Sequence, residues 1–318
     1  TQPFDLSGKR SARQNIAMAA VCKASQAYEI AEQEILKDLK SAFVNAFALQ
    51  EHLKILTELH EIAEDMHACA IDKANAGKVP AFHRHRLSVA CQAALLALEK
   101  TKTDIKSVYA AIAALFSSSN FCFDEVAYPF FDVKTPGAYS KYSCNIKNNP
   151  VLAAAQTDVY AATGMHQLEK ANRIPDLDVT AEICTDNSNN DNCFSLTLTI
   201  PIPVFDRNDG NISRSSWQTW QAQYAEDDLD AALHRRLATT YENLIRSYEA
   251  VTSLANEMQN CVKEALDATE EVYQQGKVER SDWLEAKKIC LEIRNQYIES
   301  LKDYHLNLIE IEHIAPSF

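Results

Sequence analysis

The feature that most constrains this chain is a long stretch that contains neither proline nor glycine. It runs from about Ser11 to Asn75, and a helix of about 65 residues at 1.5 Å per residue reaches roughly 100 Å. Helices in globular proteins are usually much shorter than this. Because such a helix needs partners along its whole length, we predict packing of the coiled-coil or repeat type.

The same arrangement, a long helix, a glycine break and a shorter helix, occurs twice. The first break is Gly77-Lys78-Val79, followed by a predicted helix from about Ala81 to Phe116, and the second is Gly276-Lys277-Val278. Glycine suits the end of a helix and a tight reversal of the chain. Apolar positions recur in alternate steps of four and three residues, which keeps one stripe against a partner helix. They include Leu237, Tyr241, Leu244 and Tyr248 before the second break. After it, Leu284, Leu291 and Ile298 recur at the heptad step of seven residues.

Composition and charge disfavour several classes of function. The chain has 6 glycines and 9 prolines, too few for an enzyme built on glycine-rich phosphate loops. Its net charge of −13 disfavours nucleic-acid binding, which needs a basic face. The cysteines and histidines show no zinc-type spacing, and no nucleophile–base set stands out. We therefore expect no enzyme activity, no cofactor, no metal site and no nucleic-acid partner.

Strand periodicity is convincing only between about residues 175 and 204. Apolar and polar residues alternate there in two runs on either side of an Asn/Asp-rich turn, which predicts a β-hairpin. Each run is long enough for a tilted strand to cross a bilayer with one face in lipid. A hairpin that covers a helical layer in a soluble protein would show the same alternation, so both interpretations stay open. The apolar residues of the second run are Phe194, Leu196, Leu198 and Ile200.

Two motifs that flank this hairpin resemble those of a known family. The first is Asn172-Arg173-Ile174-Pro175-Asp176-Leu177, and the second is Pro201-Ile202-Pro203-Val204-Phe205-Asp206-Arg207-Asn208-Asp209-Gly210-Asn211. They are similar to the motifs that open and close the second hairpin of the outer-membrane factor family of TolC-like efflux ducts, particularly its CzcC-like heavy-metal branch. Gly8-Lys9-Arg10 resembles the exit of that family's first hairpin. The resemblance covers nearly the whole chain, which lacks the usual N-terminal portion with two further helices and a complete first hairpin.

The resemblance implies a mainly α fold. Long antiparallel coiled-coil helical hairpins of the α-barrel type would be combined with one β-hairpin that contributes to a trimeric outer-membrane β-barrel. We expect this chain to supply only two strands, because the first hairpin is missing. The implied segments are a first long helical hairpin of the periplasmic tunnel (9–116), an equatorial connector with a short helix (117–173), a transmembrane β-hairpin (174–204) and a second long helical hairpin (208–314).

The implied function is that of a passive channel in a tripartite efflux system. The channel would lie in the outer membrane of a Gram-negative bacterium and continue as a tunnel into the periplasm. It would export metal cations or small toxic compounds. The chain would form a homotrimer. Its implied partners are a periplasmic adaptor (membrane-fusion) protein, an inner-membrane RND-type pump and outer-membrane lipid. The alternative is a soluble periplasmic helical scaffold, derived from such a duct, that only binds partners.

The resemblance also assigns roles to particular residues. The two Gly-Lys-Val breaks would be the helix tips that dock the adaptor, or else plain hairpin turns. Asp282 and Glu285 match acidic residues that ring the closed aperture, although a solvated helix face would show the same spacing. The apolar residues of the second strand would face lipid. We hypothesise a cross-strand disulfide between Cys184 and Cys193 beside the hairpin tip, which mass spectrometry finding both thiols free would exclude.

Overall fold

A computed structural model describes most of the chain. It covers residues 2–5, 7–116, 125–186, 191–201, 206–257, 271–273, 275 and 279–316, with the backbone alone for 184–186 and 191–193. None of the helices in these ranges is both long and apolar enough to cross a membrane. In chain order the elements are β1 (Gln2–Phe4), α1 (Lys9–Asn75), α2 (Ala81–Leu115), α3 (Tyr139–Asn145), a 3-10 turn (Ile146–Asn148), α4 (Pro150–Asn172), β2 (Leu177–Asp186), β3 (Asp191–Thr199), α5 (Asp209–Glu257) and α6 (Arg280–Ile314).

Burial along the long helices follows a seven-residue step. Seven residues make two turns of a slightly underwound helix, so residues at this spacing lie in one stripe that faces other helices. The predicted mainly helical fold with long, laterally packed helices is confirmed. The buried series are Ala48, Ile55 and Ile62 in α1, Leu237, Leu244 and Val251 in α5, and Leu284, Leu291 and Ile298 in α6.

The chain divides into two compact units. The first comprises residues 1–32, 144–236 and 315–318, and the second comprises 33–143 and 237–314. The first unit therefore contains the strands, and the second contains the Gly77-Lys78-Val79 break and α6. The functional division of the chain that the sequence suggests stays a prediction.

In the second unit, aromatic side chains hold the segment between α2 and α3 in place. The Phe130 ring is fully buried and stacks on the His305 ring, with centroids 5.4 Å apart. The His305 Nε2 atom lies 2.8 Å from the Phe130 carbonyl oxygen, and the Tyr304 hydroxyl donates to the Lys134 carbonyl at 2.7 Å. Burial lowers the pKa of His305. The part of the predicted connector around Phe130 and Lys134 is thus fixed to α6.

Among the described residues of the first unit, the sheet has three strands rather than the two expected from the sequence. β1 pairs with β2, and β2 pairs with β3, all antiparallel. Gln2, Pro3 and Phe4 lie opposite Val179, Asp178 and Leu177. The expectation of two strands was wrong because a three-residue strand with one apolar side chain carries no periodicity that a sequence pattern can detect.

The Asp-Arg-Asn-Asp-Gly-Asn motif forms the turn that starts α5. Asn208 adopts a left-handed backbone conformation with φ 59°. Its amide nitrogen Nδ2 donates to the Glu169 carbonyl at 2.9 Å and to Glu169 Oε2 at 2.7 Å. Its main-chain N–H donates to Asp206 Oδ1, and its own side-chain oxygen accepts from Asn211 Nδ2. Asparagine adopts positive φ more readily than most residues with a Cβ. Asn208 therefore fits the left-handed backbone of this turn, and its side chain also joins the turn to the end of α4 through hydrogen bonds to Glu169.

Replacing Asn208 should destabilise the fold by an amount that depends on the new residue. We expect Asn208→Ala to cost about 1–3 kcal/mol, because it loses the side-chain hydrogen bonds and strains the backbone. Asn208→Gly should cost less, since glycine keeps the positive φ and loses only the hydrogen bonds. Denaturant unfolding of the two variants beside the parent measures both values, and equal stability of all three proteins would contradict this role.

Candidate functional site

The sheet has one apolar face. Residues directly opposite each other on antiparallel strands point to the same side, and the apolar residues of β2 and β3 pair with one another. No described part of the chain covers this face fully, since the Ile183 side chain is 76% exposed and that of Phe194 is 70% exposed. Phe4 of β1 lies opposite Leu177 and extends it. The apolar pairs of β2 and β3 are Val179–Leu198, Ala181–Leu196 and Ile183–Phe194.

The other face of the sheet is polar. Its paired positions in β2 and β3 carry hydroxyl or carboxyl side chains, apart from the pair Cys184–Cys193 in the same alternation, so the sheet separates two kinds of environment. Three of the four predicted lipid-facing residues, Phe194, Leu196 and Leu198, lie on the apolar face, and Ile200 follows the end of β3; all four are exposed. Their contact with lipid stays a prediction. The polar pairs are Asp178–Thr199, Thr180–Thr197 and Glu182–Ser195.

Charged residues connect the sheet to α1. Lys9 is buried, and its Nζ lies 2.9 Å from Asp176 Oδ1, just before β2. Asp5 accepts hydrogen bonds from the main-chain N–H groups of Arg10 and Ser7, and these bonds hold the pKa of Asp5 below its usual range. The Gly-Lys-Arg motif therefore begins α1 and also fixes it to the strand that follows α4.

The hypothesis of a disulfide concerns residues whose side chains lie outside the described part of the chain. The Cα atoms of Cys184 and Cys193 are partners in the β2–β3 register. Opposite positions in adjacent strands are the ones that a cross-strand bond would need. The disulfide itself stays a prediction.

The first Gly-Lys-Val break is a helix C-cap of the Schellman type. Gly77 has φ +69°, the Gly77 N–H donates to the Ala74 carbonyl at 3.1 Å, and the Lys78 N–H donates to the Lys73 carbonyl at 2.9 Å. Lys78 is exposed and Val79 is half-buried. Gly276, Lys277 and Val278 lie outside the described residues. The role of both breaks in docking stays a prediction.

Two ion pairs connect the start of α6 to the end of α1. Lys73 pairs with Glu279 and also donates to Ser281 Oγ at 3.1 Å. Arg280 Nη2 lies 3.0 Å from Asp65 Oδ2. The hydrogen bond from Lys73 lowers the pKa of Glu279. Since these groups are largely exposed, water screens the pairs, and their main effect is to fix the position of the two helix ends.

The two predicted aperture residues are close together on α6. Asp282 and Glu285 are both exposed and lie three residues apart, so they share one helical face. Asp282 stands in the first turn of the helix, where a negative charge is favoured by the helix dipole. This local role accounts for Asp282, whereas Glu285 has no ion pair or hydrogen bond with the described residues. The aperture role of both stays a prediction.

The structure also brings together three side chains that the sequence analysis did not select. One ligand atom each from His60, Glu64 and Cys91 lies within 4.8 Å of the other two. The spacing of histidines and cysteines along the chain predicted no metal site. The four-residue spacing of His60 and Glu64 was visible there, but Cys91 belongs to α2 and meets them only because α1 and α2 pack together.

Comparisons with known proteins agree on one class. The model of the family described as outer membrane efflux protein matches residues 1–117 and 142–315. The chain is 25% identical over 315 residues to the cobalt-zinc-cadmium resistance protein CzcC of Cupriavidus metallidurans, covering 98% of this chain and 75% of that protein. It is 23% identical over 245 residues to the nickel-cobalt-cadmium resistance protein NccC of Alcaligenes xylosoxydans, covering 76% and 55%. The solved structure of the outer-membrane channel OprN superposes with a TM-score of 0.82 at 13% identity, covering 98% of this chain and 73% of that one.

Long, laterally packed helices combined with a small sheet that exposes an apolar face define a channel protein of the outer-membrane type. The chain belongs to the outer membrane efflux protein family, whose model matches most of its length. The predicted family, the similarity to CzcC and the outer-membrane localisation are thereby confirmed.

Proposed function

We propose that this protein is the outer-membrane channel component of a tripartite efflux system and that it forms a passive export duct for divalent metal cations. The main support for a duct is the exposed apolar face of the sheet, in a chain that belongs to this family. The cargo is supported by two relatives, which are named as cobalt-zinc-cadmium and nickel-cobalt-cadmium resistance proteins.

The sheet supports a trimer because it leaves two edges open within the described residues. β1 and β3 are its outer strands. Backbone N–H and C=O groups that lie in lipid must all be hydrogen-bonded, so strands of neighbouring copies would have to pair with both edges. Such pairing would give each copy two neighbours, as in any closed ring of copies, and the homotrimer is the ring that we propose.

Exposed apolar side chains on the helices of the first unit support the same assembly. Single exposed apolar residues are ordinary, but a series of them on long helices indicates a surface that is covered by a partner. The Trp220 and Tyr224 rings also stack, with centroids 6.2 Å apart. The series comprises Met18, Val21 and Tyr28 on α1 and Trp217, Trp220 and Tyr224 on α5.

Adjacent positions on β3 test whether the apolar face lies in lipid. We expect Leu196→Lys to abolish trimer assembly in the outer membrane, because a lysine facing lipid near the bilayer midplane costs about 2–4 kcal/mol in each subunit. Thr197→Lys, the matched control on the polar face, should assemble normally. Membrane fractionation, followed by native electrophoresis of detergent extracts, measures both outcomes.

The same membrane fractionation also distinguishes a membrane duct from a soluble scaffold. If the parent protein itself remained monomeric in the aqueous phase, the scaffold interpretation would replace the duct. Equal assembly of the two lysine variants would show that the apolar face does not contact lipid.

The helix tips are proposed to dock the adaptor protein. Support comes from the first break, where a tight Schellman turn presents Lys78 to solvent. We expect Lys78→Glu to lower the metal tolerance of cells that rely on this protein, while the trimer still assembles. Lys100→Glu, an equal charge change on the exposed side of α2, serves as the control. Unchanged adaptor crosslinking and tolerance in the Lys78 variant would remove this tip from the docking surface.

Asp282 and Glu285 are proposed to ring the periplasmic aperture. Three copies of each carboxylate would attract cations and repel anions. We expect the double variant Asp282→Asn, Glu285→Gln to lower the cation preference of single channels in planar bilayers, measured as the reversal potential in a salt gradient. The control is Glu292→Gln, Asp303→Asn, which removes the same charge further along α6. An equal shift in both double variants would rule out a specific role for the aperture pair.

A further inference from the structure

Two helices of the second unit bring three metal-ligating side chains together. His60 and Glu64 lie one turn apart on α1, Cys91 lies on α2, and one ligand atom of each is within 4.8 Å of the other two. The His60 Nε2 atom lies 3.5 Å from Glu64 Oε1. Zinc bonds to nitrogen, oxygen and sulfur measure about 2.0–2.3 Å. Small rotations of these side chains would therefore bring all three ligand atoms onto one ion.

The surroundings of the cluster favour a ligand. The His60 Nδ1 atom is buried and has no hydrogen-bond partner among the described residues. Such atoms are uncommon in proteins. The Cys91 thiol is free and buried. Ala63 and Ala90, which are adjacent in sequence to Glu64 and Cys91, line a mainly apolar groove of about 170 Å³ to which α6 also contributes Lys288 and Glu292.

The donor set selects the kind of ion. Imidazole nitrogen and thiolate sulfur bind borderline-soft divalent cations, whereas Mg²⁺ and Ca²⁺ prefer sites made of oxygen alone. Three protein ligands leave a fourth tetrahedral position for water, as in zinc sites that exchange ligands. We infer that His60, Glu64 and Cys91 form a three-ligand site for a cation of the Zn²⁺, Co²⁺ or Cd²⁺ type.

A bound ion would join α1 to α2. It would replace the 3.5 Å contact between His60 Nε2 and Glu64 Oε1 within α1 by bonds that span two helices. The site stands on the geometry of these three residues and does not rest on the proposed export function, because binding is measured on the purified protein.

Cobalt absorption tests the site directly. We expect Co²⁺ titrated into the purified full chain to give a thiolate-to-cobalt charge-transfer band. The Cys91→Ser variant should bind one equivalent of Co²⁺ per chain less than the parent protein. Cys69→Ser, which changes another free thiol outside the cluster, should keep that equivalent. Competition with Zn²⁺ should displace the cobalt.

A second pair of variants keeps the test decisive if Cys91→Ser does not fold. Glu64 and Glu61 are both exposed on α1, so neither substitution by glutamine should disturb folding. We expect Glu64→Gln to weaken Co²⁺ binding by at least about tenfold, comparable to the loss of a group that supports a metal site, and Glu61→Gln to leave it unchanged. Equal affinities in these two variants, or a charge-transfer band that Cys91→Ser retains, would overturn the assignment.

Discussion

The structure depends on lateral contact between helices that are too long to be stable alone. α1 comprises 67 residues, and an isolated helix of mixed composition in water is marginal, because its own hydrogen bonds barely exceed the conformational entropy it loses. The buried seven-residue series supplies the missing stabilisation at every second turn. Since the stripe on each helix is narrow, most of the remaining helical surface stays exposed. That surface is free to line a channel or to contact other copies of the chain.

Much of the helical fold could be predicted from the sequence because its signals are local. A long stretch without proline or glycine, a glycine that ends a helix, and apolar residues in heptads each act within a few turns. Leu284, Leu291 and Ile298 illustrate this, since their spacing alone predicted their burial. The alternation in β2 and β3 is equally local, and it predicted both faces of the hairpin.

The features that the sequence did not reveal are those that depend on distant partners. β1 is three residues long and pairs with β2 more than 170 positions away, and its composition gives no strand signal. Phe130 and Tyr128 lie in a segment of irregular composition, and they are held by rings that are distant in sequence, His305 of α6 and Phe47 of α1. The same holds for Cys91, which meets His60 and Glu64 only through the packing of two helices. The motif around Asn208 could be recognised by resemblance, but its physical basis, a left-handed residue hydrogen-bonded to the end of α4, required the structure.

The central claim is that the apolar face of the sheet contacts lipid while the opposite face contacts water. Nitroxide labels placed one at a time at positions 194 to 199 of the assembled protein in membranes test this claim most directly. Collision rates with oxygen, which concentrates in lipid, and with a water-soluble nickel chelate should alternate with a period of two. Positions 194, 196 and 198 should favour oxygen, and positions 195, 197 and 199 the chelate. Equal collision rates with the chelate at all six positions would contradict the account. So would low collision rates with both the chelate and oxygen at positions 194, 196 and 198, because these side chains would then be buried in protein.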